Sequence, residues 1–248
     1  MRLVCFPYAG VGASVYRLWS AGLPESVEVC AVQLPGREGR LRETPLTDIG
    51  DIVAALVPQI LPWLDRPFAF FGHSMGALLA TEVVEALSAR GAPLPDQLFV
   101  SGRRPPHVPD DEPPMGSLPD DLFVAEIDRR FGGIPAAVRA DAELMALLMP
   151  TLRADIIALE RYRNDTRKLL RCPVAVFGGA SDRRASRQHL ESWQLLTRSD
   201  LQLRLFDGDH FYLNPQRPAV LREVAAILAP FLALAESRHS VATRGVSL

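Results

Sequence analysis

The segment FFGHSMGALLA, residues 70 to 80, is apolar, then turns through Gly72-His73-Ser74-Met75-Gly76, then is apolar again. A serine between two glycines, where a strand gives way to a helix, fits the G-x-S-x-G pattern of a nucleophile elbow. Such a turn holds the serine in a sparsely populated backbone conformation and exposes its hydroxyl. Side chains at positions 72 and 76 would collide with neighbouring backbone, so glycine is required there. The chemistry implied is nucleophilic attack by Ser74. A serine hydroxyl is a poor nucleophile alone, so a base and a group that orients the base must come from elsewhere in the chain.

In α/β-hydrolases those partners follow the serine in the order Asp or Glu, then His. VAVFGGASDRR puts Asp182 just after an apolar run, and LRLFDGDHFYL puts His210 just after the last such run. His210 is therefore the expected base, and Asp182 the group that holds its tautomer. Asp182 also has an ordinary reading as a turn-capping aspartate. Asp207 and Asp209 lie just before His210 but are too close in sequence to reach back to its ring. His73 is expected to pack beneath the elbow. His107, His189 and His239 fall in a proline run, a helix and the tail. Attack on an acyl carbon also needs N–H donors for the tetrahedral oxyanion. Met75, the residue after the serine, supplies one. The other is expected from the loop FPYAGVGAS: Ala9, with Tyr8 as the near alternative. The glycines of that loop match neither a dinucleotide fingerprint nor a P-loop.

Groups so far apart in sequence meet only if a sheet collects them at one edge. Six short apolar runs read as buried strands: 3–8, 27–34, 68–72, 98–102, 174–179 and 201–208. Helical patterns lie between them. One spans 47–64, with Thr47 as the expected N-cap. One spans 75–90, with Ala80, Val83, Val84 and Leu87 on one face and Gly91 and Pro93 as its stop. A last apolar helix spans 217–235. Strand alternating with helix implies a mostly parallel sheet flanked by helices; together with the nucleophile elbow and the order of its partners, the expectation is the α/β-hydrolase fold. The alternation fails from Arg103 to about Asp165. That interval opens with RRPPHVPDDEPPMGSLP and becomes helical in DAELMALLMPTLRADIIALERYR, where Pro150 is expected to kink or divide the helix. It reads as a helical lid. The expected organisation is one domain over 1–236, with core 1–102 and 166–236, lid 103–165, and a disordered tail over 237–248.

The chain has 248 residues, 48% of them hydrophobic, and a formal net charge of −2. That is enough for one large core and gives no basic field for nucleic acid or anionic membrane. No apolar stretch reaches the ~18 residues of a membrane span. The N-terminal MRLVCFPYAG lacks the apolar region and cleavage site of a secretory leader. Three well-separated cysteines, Cys5, Cys30 and Cys172, read as reduced thiols, and no metal-binding spacing occurs. A cytoplasmic monomer is the expectation.

FPYAGVGASVYRLW, VQLPGRE, FFGHSMGALLA, SGRRPP, FGGIP, LRADIIALERY and GDHFYL, taken together and in order, resemble the type II thioesterases of polyketide and nonribosomal peptide biosynthesis. The likeness spans residues 3 to 230 and includes lid motifs. Val11 and Arg183 depart from it, standing where that family commonly has glycine and proline. The resemblance implies a substrate, an acyl group in thioester linkage to the phosphopantetheine arm of an acyl or peptidyl carrier protein, and no cofactor of the enzyme's own. It implies an editing role that clears short or misprimed acyl groups. Arginines 103, 104, 129, 130, 183, 184 and 187 are candidates to meet an acidic carrier face. Tyr8, Leu144, Leu148 and Phe211 are candidates for the acyl pocket, with Met145, Leu147 and Met149 nearby. A product-releasing thioesterase or carboxylesterase would use the same triad. A non-catalytic carrier-binding protein would not need it.

Overall fold

The computed structural model describes residues 1–132, 134–164 and 168–244, with side chains to Leu234. In chain order the elements are β1 (Arg2–Phe6), β2 (Glu28–Ala31), α1 (Ile49–Ile60), β3 (Phe68–His73), α2 (Met75–Ala89), β4 (Gln97–Ser101), α3 (Asp120–Phe131), α4 (Ala136–Arg139), α5 (Ala142–Arg161), β5 (Val174–Gly179), α6 (Arg187–Glu191), β6 (Gln202–Phe206) and α7 (Arg217–Arg244). The sheet order is β2-β1-β3-β4-β5-β6, and every pairing is parallel. Parallel neighbours require crossovers, so helices cover both faces.

The period of two decides which side chain meets which layer. Val4, Phe6, Phe70, Leu98, Val100 and Val176 face α1 and α2 in one core. Leu3, Cys5, Phe71, Phe99, Ala175 and Phe177 face α7 and the Tyr16–Trp19 turn in the other. All six residues of β3 are buried, as befits the strand that carries the elbow. The edge strand β2 is short and half exposed, which limits unpaired strand edge.

Several expected boundaries shift for local reasons. β1 stops at Phe6 because Pro7 has no N–H to give the ladder. The N-cap of α1 is Asp48, not Thr47: the Asp48 carboxylate accepts from the N–H groups of Gly50 at 2.7 Å and Asp51 at 3.2 Å. α2 ends as expected. Gly91 sits at φ +63°, and Ala92 N–H returns to Leu87 O at 3.0 Å, a Schellman closure. Pro150 does not divide its helix; α5 is continuous over Ala142–Arg161. Pro150 and Ala146, whose carbonyl loses its partner, are both exposed, so that carbonyl is not left buried without a partner. α7 reaches Arg244, beyond the expected end at 235 and into the expected tail; residues 245–248 lie outside the described residues, as does Asp165 at the end of the expected lid.

The interval between β4 and β5 carries α3, α4 and α5 and, among the described residues, no strand. It has a small core of its own, Met115, Phe123, Ile127, Met149 and Ile156. α5 is also pinned to the sheet side. Asp155, fully buried, receives both ends of the Arg37 guanidinium, at 2.6 and 2.9 Å. Thr151 donates to Gly36 O at 2.6 Å.

Candidate active site

Ser74 caps α2 with φ +53° and ψ −115°, one of two non-glycine residues at positive φ among the described residues. The strain is held by contacts on both sides. A Cβ at Gly72 would lie 2.1 Å from Gly76 O, and one at Gly76 would lie 2.1 Å from Phe6 O. The second approach brings the start of α2 against the end of β1, and so puts the loop after β1 beside the serine. Ser74 N–H donates to Ser101 O at 2.8 Å, which fixes the turn to β4.

The three groups singled out by the order of motifs converge. His210 Nε2 is 3.0 Å from Ser74 Oγ, and His210 Nδ1 is 2.8 Å from Asp182 Oδ2. All three side chains are buried. Burial opposes ionisation of Asp182, but the His210 ring and the N–H groups of Arg184 and Ala185 outweigh it, and the carboxyl stays below its usual value. The turn-capping reading of Asp182 holds as well: Oδ1 takes those two N–H groups at 2.8 and 3.1 Å while Oδ2 faces the imidazole. One carboxylate caps the turn and orients the ring. Gly179 makes this possible, since a Cβ there would come within 2.1 Å of Asp209 O. This arrangement can withdraw the Ser74 proton and stabilise the resulting imidazolium.

No hydrogen bond among the described residues engages the N–H of Met75, Ala9 or Tyr8. Gly10 N–H, by contrast, is taken by Asp155 Oδ2 at 2.8 Å. The same carboxylate that holds Arg37 therefore also holds the loop in which Ala9 sits. Sequence inspection did not find this pair, although both residues lie in motifs quoted above.

His73 packs beneath the elbow, fully buried, with Nδ1 2.8 Å from Ser101 Oγ. Ser101 Oγ in turn is 2.6 Å from Tyr212 OH, a network not evident in the sequence. Burial, then the nearby His210, push the His73 pKa down to about 3, so the ring is neutral near pH 7.

Two cavities meet at Ser74 and His210. One, of about 580 Å³, is apolar and includes Tyr8, Ala9, Met145, Leu148, Met149, Leu152 and Phe211. The other, of about 540 Å³, is walled by Arg103, Arg104, Arg130, Arg163, Arg184, Asp110, Glu112 and Glu160. Phe131 belongs to both walls and packs on His210, ring centroids 5.4 Å apart. Of the expected pocket residues, Tyr8, Leu148 and Phe211 line the apolar cavity and Leu144 does not. The lining face of α5 runs 145, 148, 149, 152, 156, 159, which leaves 144 off the stripe and Leu147 half exposed to solvent. Among the seven arginines, 104, 129, 130, 184 and 187 pair with carboxylates. Arg103 and Arg183 have no carboxylate partner among the described residues.

Residues 1–228 match the family model described as the thioesterase domain. The chain is 39% identical over 234 residues to the gramicidin S biosynthesis protein GrsT of Aneurinibacillus migulanus, covering 93% of this chain and 91% of that protein. Among solved structures it is similar to RedJ, a thioesterase from the prodiginine biosynthetic pathway in Streptomyces coelicolor, with TM-score 0.84, 41% identity and coverage of 91% and 84%. It is also similar to ClbQ from the colibactin pathway, with TM-score 0.88, 30% identity and coverage of 94% and 98%.

Proposed function

Because the chain belongs to the thioesterase family, hydrolases of acyl thioesters, we propose that it is a type II editing thioesterase of polyketide or nonribosomal peptide assembly. It removes short or aberrant acyl groups from the phosphopantetheine arm of acyl or peptidyl carrier domains. The observation that carries this reading is the hydrogen-bonded series Ser74–His210–Asp182 at the junction of an apolar and a polar cavity. The pathways named for its relatives support the setting.

In the proposed reaction His210 Nε2 accepts the Ser74 proton as Oγ attacks the thioester carbonyl. The N–H groups of Met75 and Ala9 receive the oxyanion. Collapse breaks the C–S bond, and the imidazolium gives its proton to the departing pantetheine sulfur. Water, deprotonated by His210, then attacks the acyl-enzyme, and Ser74 regains its proton as the acid leaves. Asp182 holds the imidazole throughout. The acyl chain occupies the apolar cavity between Tyr8, Leu148 and Phe211. Every step uses side chains and backbone of this chain, with no cofactor of its own. The proposed compartment is the cytoplasm, where the free thiols stay reduced. No described helix is long and apolar enough to cross a membrane.

The test is release of acetyl, propionyl and longer acyl groups from a loaded carrier protein, with wild type beside Ser74→Ala and Asp182→Ala. Release by wild type that drops by several powers of ten in Ser74→Ala supports the reading. Turnover confined to oxygen esters or full-length chains would replace it with a carboxylesterase or a product-releasing thioesterase. Carrier binding without any turnover would mean a non-catalytic protein.

A further inference from the structure

The apolar cavity suits an acyl chain, but the second cavity at Ser74 is built of charges. Most of those charges have partners. Arg104 pairs with Asp110 at 2.7 Å, and Arg184 pairs with the same carboxylate. Glu160 accepts from the N–H of Gly116 at 3.1 Å, and Arg163 donates to backbone carbonyls of Glu160 and Tyr162 at 2.6 and 2.8 Å.

Arg103 is the exception. Its guanidinium has no hydrogen-bond acceptor among the described residues, and its Nε is wholly buried. Burial, with the neighbouring Arg104 and Arg184, outweighs the nearby Asp110 carboxylate and pushes its pKa down to about 10, so it remains a cation at neutral pH. Its backbone is held fast: Arg103 O accepts the indole N–H of the buried Trp193 at 2.8 Å. The preceding residue, Gly102, has φ +59°, and a Cβ there would come 2.6 Å from His73 Cε1 and 3.5 Å from His210 Cε1. The chain thus places a cation without a hydrogen-bond acceptor among the described residues in the wall of the cavity that also contains Ser74 and His210. Such a charge destabilises the folded protein unless something pairs with it. The Asp110 carboxylate offsets that cost only in part, without a hydrogen bond to the guanidinium, and the remainder points to a ligand.

We propose that Arg103 is the anion-binding residue of a second substrate subsite, which receives a phosphate or carboxylate group attached to the thioester. This rests on the thioesterase reading above. Two sources carry that chemistry: the phosphate of the carrier's pantetheine arm and the free carboxylate of a dicarboxylic acyl group. The guanidinium presents a planar fork of donors to either.

The experiment measures kcat/KM of wild type and Arg103→Met on four thioesters. These are propionyl-N-acetylcysteamine, propionyl-pantetheine, propionyl-phosphopantetheine and malonyl-N-acetylcysteamine. Turnover of the first by wild type tests the thioesterase reading itself, independently of Arg103. A charge-assisted hydrogen bond is worth about ten- to a hundredfold. Arg103→Met should therefore lose about that factor on an anionic substrate, mainly through KM, while propionyl-N-acetylcysteamine stays within about twofold. Loss confined to the phosphopantetheine substrate identifies the arm's phosphate; loss confined to the malonyl substrate identifies an acyl carboxylate. Arg103→Lys should recover part of either loss. The melting temperature of Arg103→Met should be no lower than that of wild type, since an unpaired charge has been removed. Equal loss on all four substrates, or no loss on any, overturns the proposal. A fall in melting temperature with uniform loss of activity overturns it as well, by making Arg103 a structural residue.

Discussion

Removing one member of the Arg37–Asp155 pair should cost far more than removing both. Asp155 is fully buried, and its Oδ2 accepts from Arg37 at 2.6 Å and from Gly10 N–H at 2.8 Å. Asp155→Leu leaves a buried guanidinium with no carboxylate and a backbone N–H with no acceptor. Breaking a buried pair costs about 3–5 kcal/mol, and the orphaned N–H about 1–3 kcal/mol more. Against a total stability of about 5–15 kcal/mol, that is a third or more of the fold. In Arg37→Met/Asp155→Leu the charge is gone, and only the N–H penalty of about 1–3 kcal/mol remains, offset in part by apolar packing. The double variant should therefore be about 3–5 kcal/mol more stable than Asp155→Leu, the cost of the lone charge being gone. Urea unfolding of wild type, the two single variants and the double variant measures it. The same variants report on the loop. Gly10 is freed in Asp155→Leu and in the double variant alike, and Ala9 beside it moves with it. Ala9 is the proposed second oxyanion donor, and loss of such a donor costs about 10²–10³ in kcat. The double variant should therefore regain stability yet stay at least about tenfold down in kcat, with KM little changed. Additive single costs, or full kcat in the stable double variant, would refute the reasoning.

Other substitutions test separate parts of the site. Gly76→Ala puts a Cβ 2.1 Å from the backbone oxygen of Phe6. It should cost about 3 kcal/mol or more and abolish turnover, read by thermal melting and thioester hydrolysis. His73, with its folded pKa held near 3 against 6.5 when unfolded, binds its proton more readily in the unfolded chain. Its contribution is therefore fully present above pH 6.5 and is lost as pH falls toward 3. Between pH 7 and pH 5 the loss should be about 2 kcal/mol. Urea curves for His73→Gln should show a shallower pH slope by that amount, and an unchanged slope would remove His73 as the cause. Leu148→Trp fills part of the apolar cavity. It should shift chain-length preference toward acetyl and propionyl, seen as a selective rise in KM for longer acyl groups.

The elbow was legible because its cause is local. Gly72, Ser74 and Gly76 lie within five residues, and the backbone collisions that demand glycine arise from that one turn. Asp182 and His210 were legible for a different reason. Each follows a strand, and a parallel sheet brings the carboxyl ends of its strands to one edge. Errors appeared where the answer depended on which way an element faces. Leu144 and Met145 are adjacent on a strongly apolar helix, and only the docking of α5 decides that Met145 lines the cavity and Leu144 does not. The choice of Asp48 over Thr47 as N-cap turned on a one-residue phase of the same kind.

The sequence by itself determined the glycine-flanked serine turn, the order of the aspartate and histidine that meet it, the parallel sheet and the long helical interval. Each of these follows from side-chain period or from turn geometry over a few neighbouring residues. The tertiary structure alone decided that Asp155 holds Arg37 and Gly10 at once, that Ser101 links His73 to Tyr212, and that Arg103 has no carboxylate partner among the described residues while Arg104 and Arg184 share Asp110. Arg37 and Asp155 are 118 positions apart, and Ser101 and Tyr212 are 111. Nothing in the local pattern of a charged or hydroxyl side chain states its partner. That is settled only when burial removes water and each polar group must pair with whatever the packed chain brings within reach.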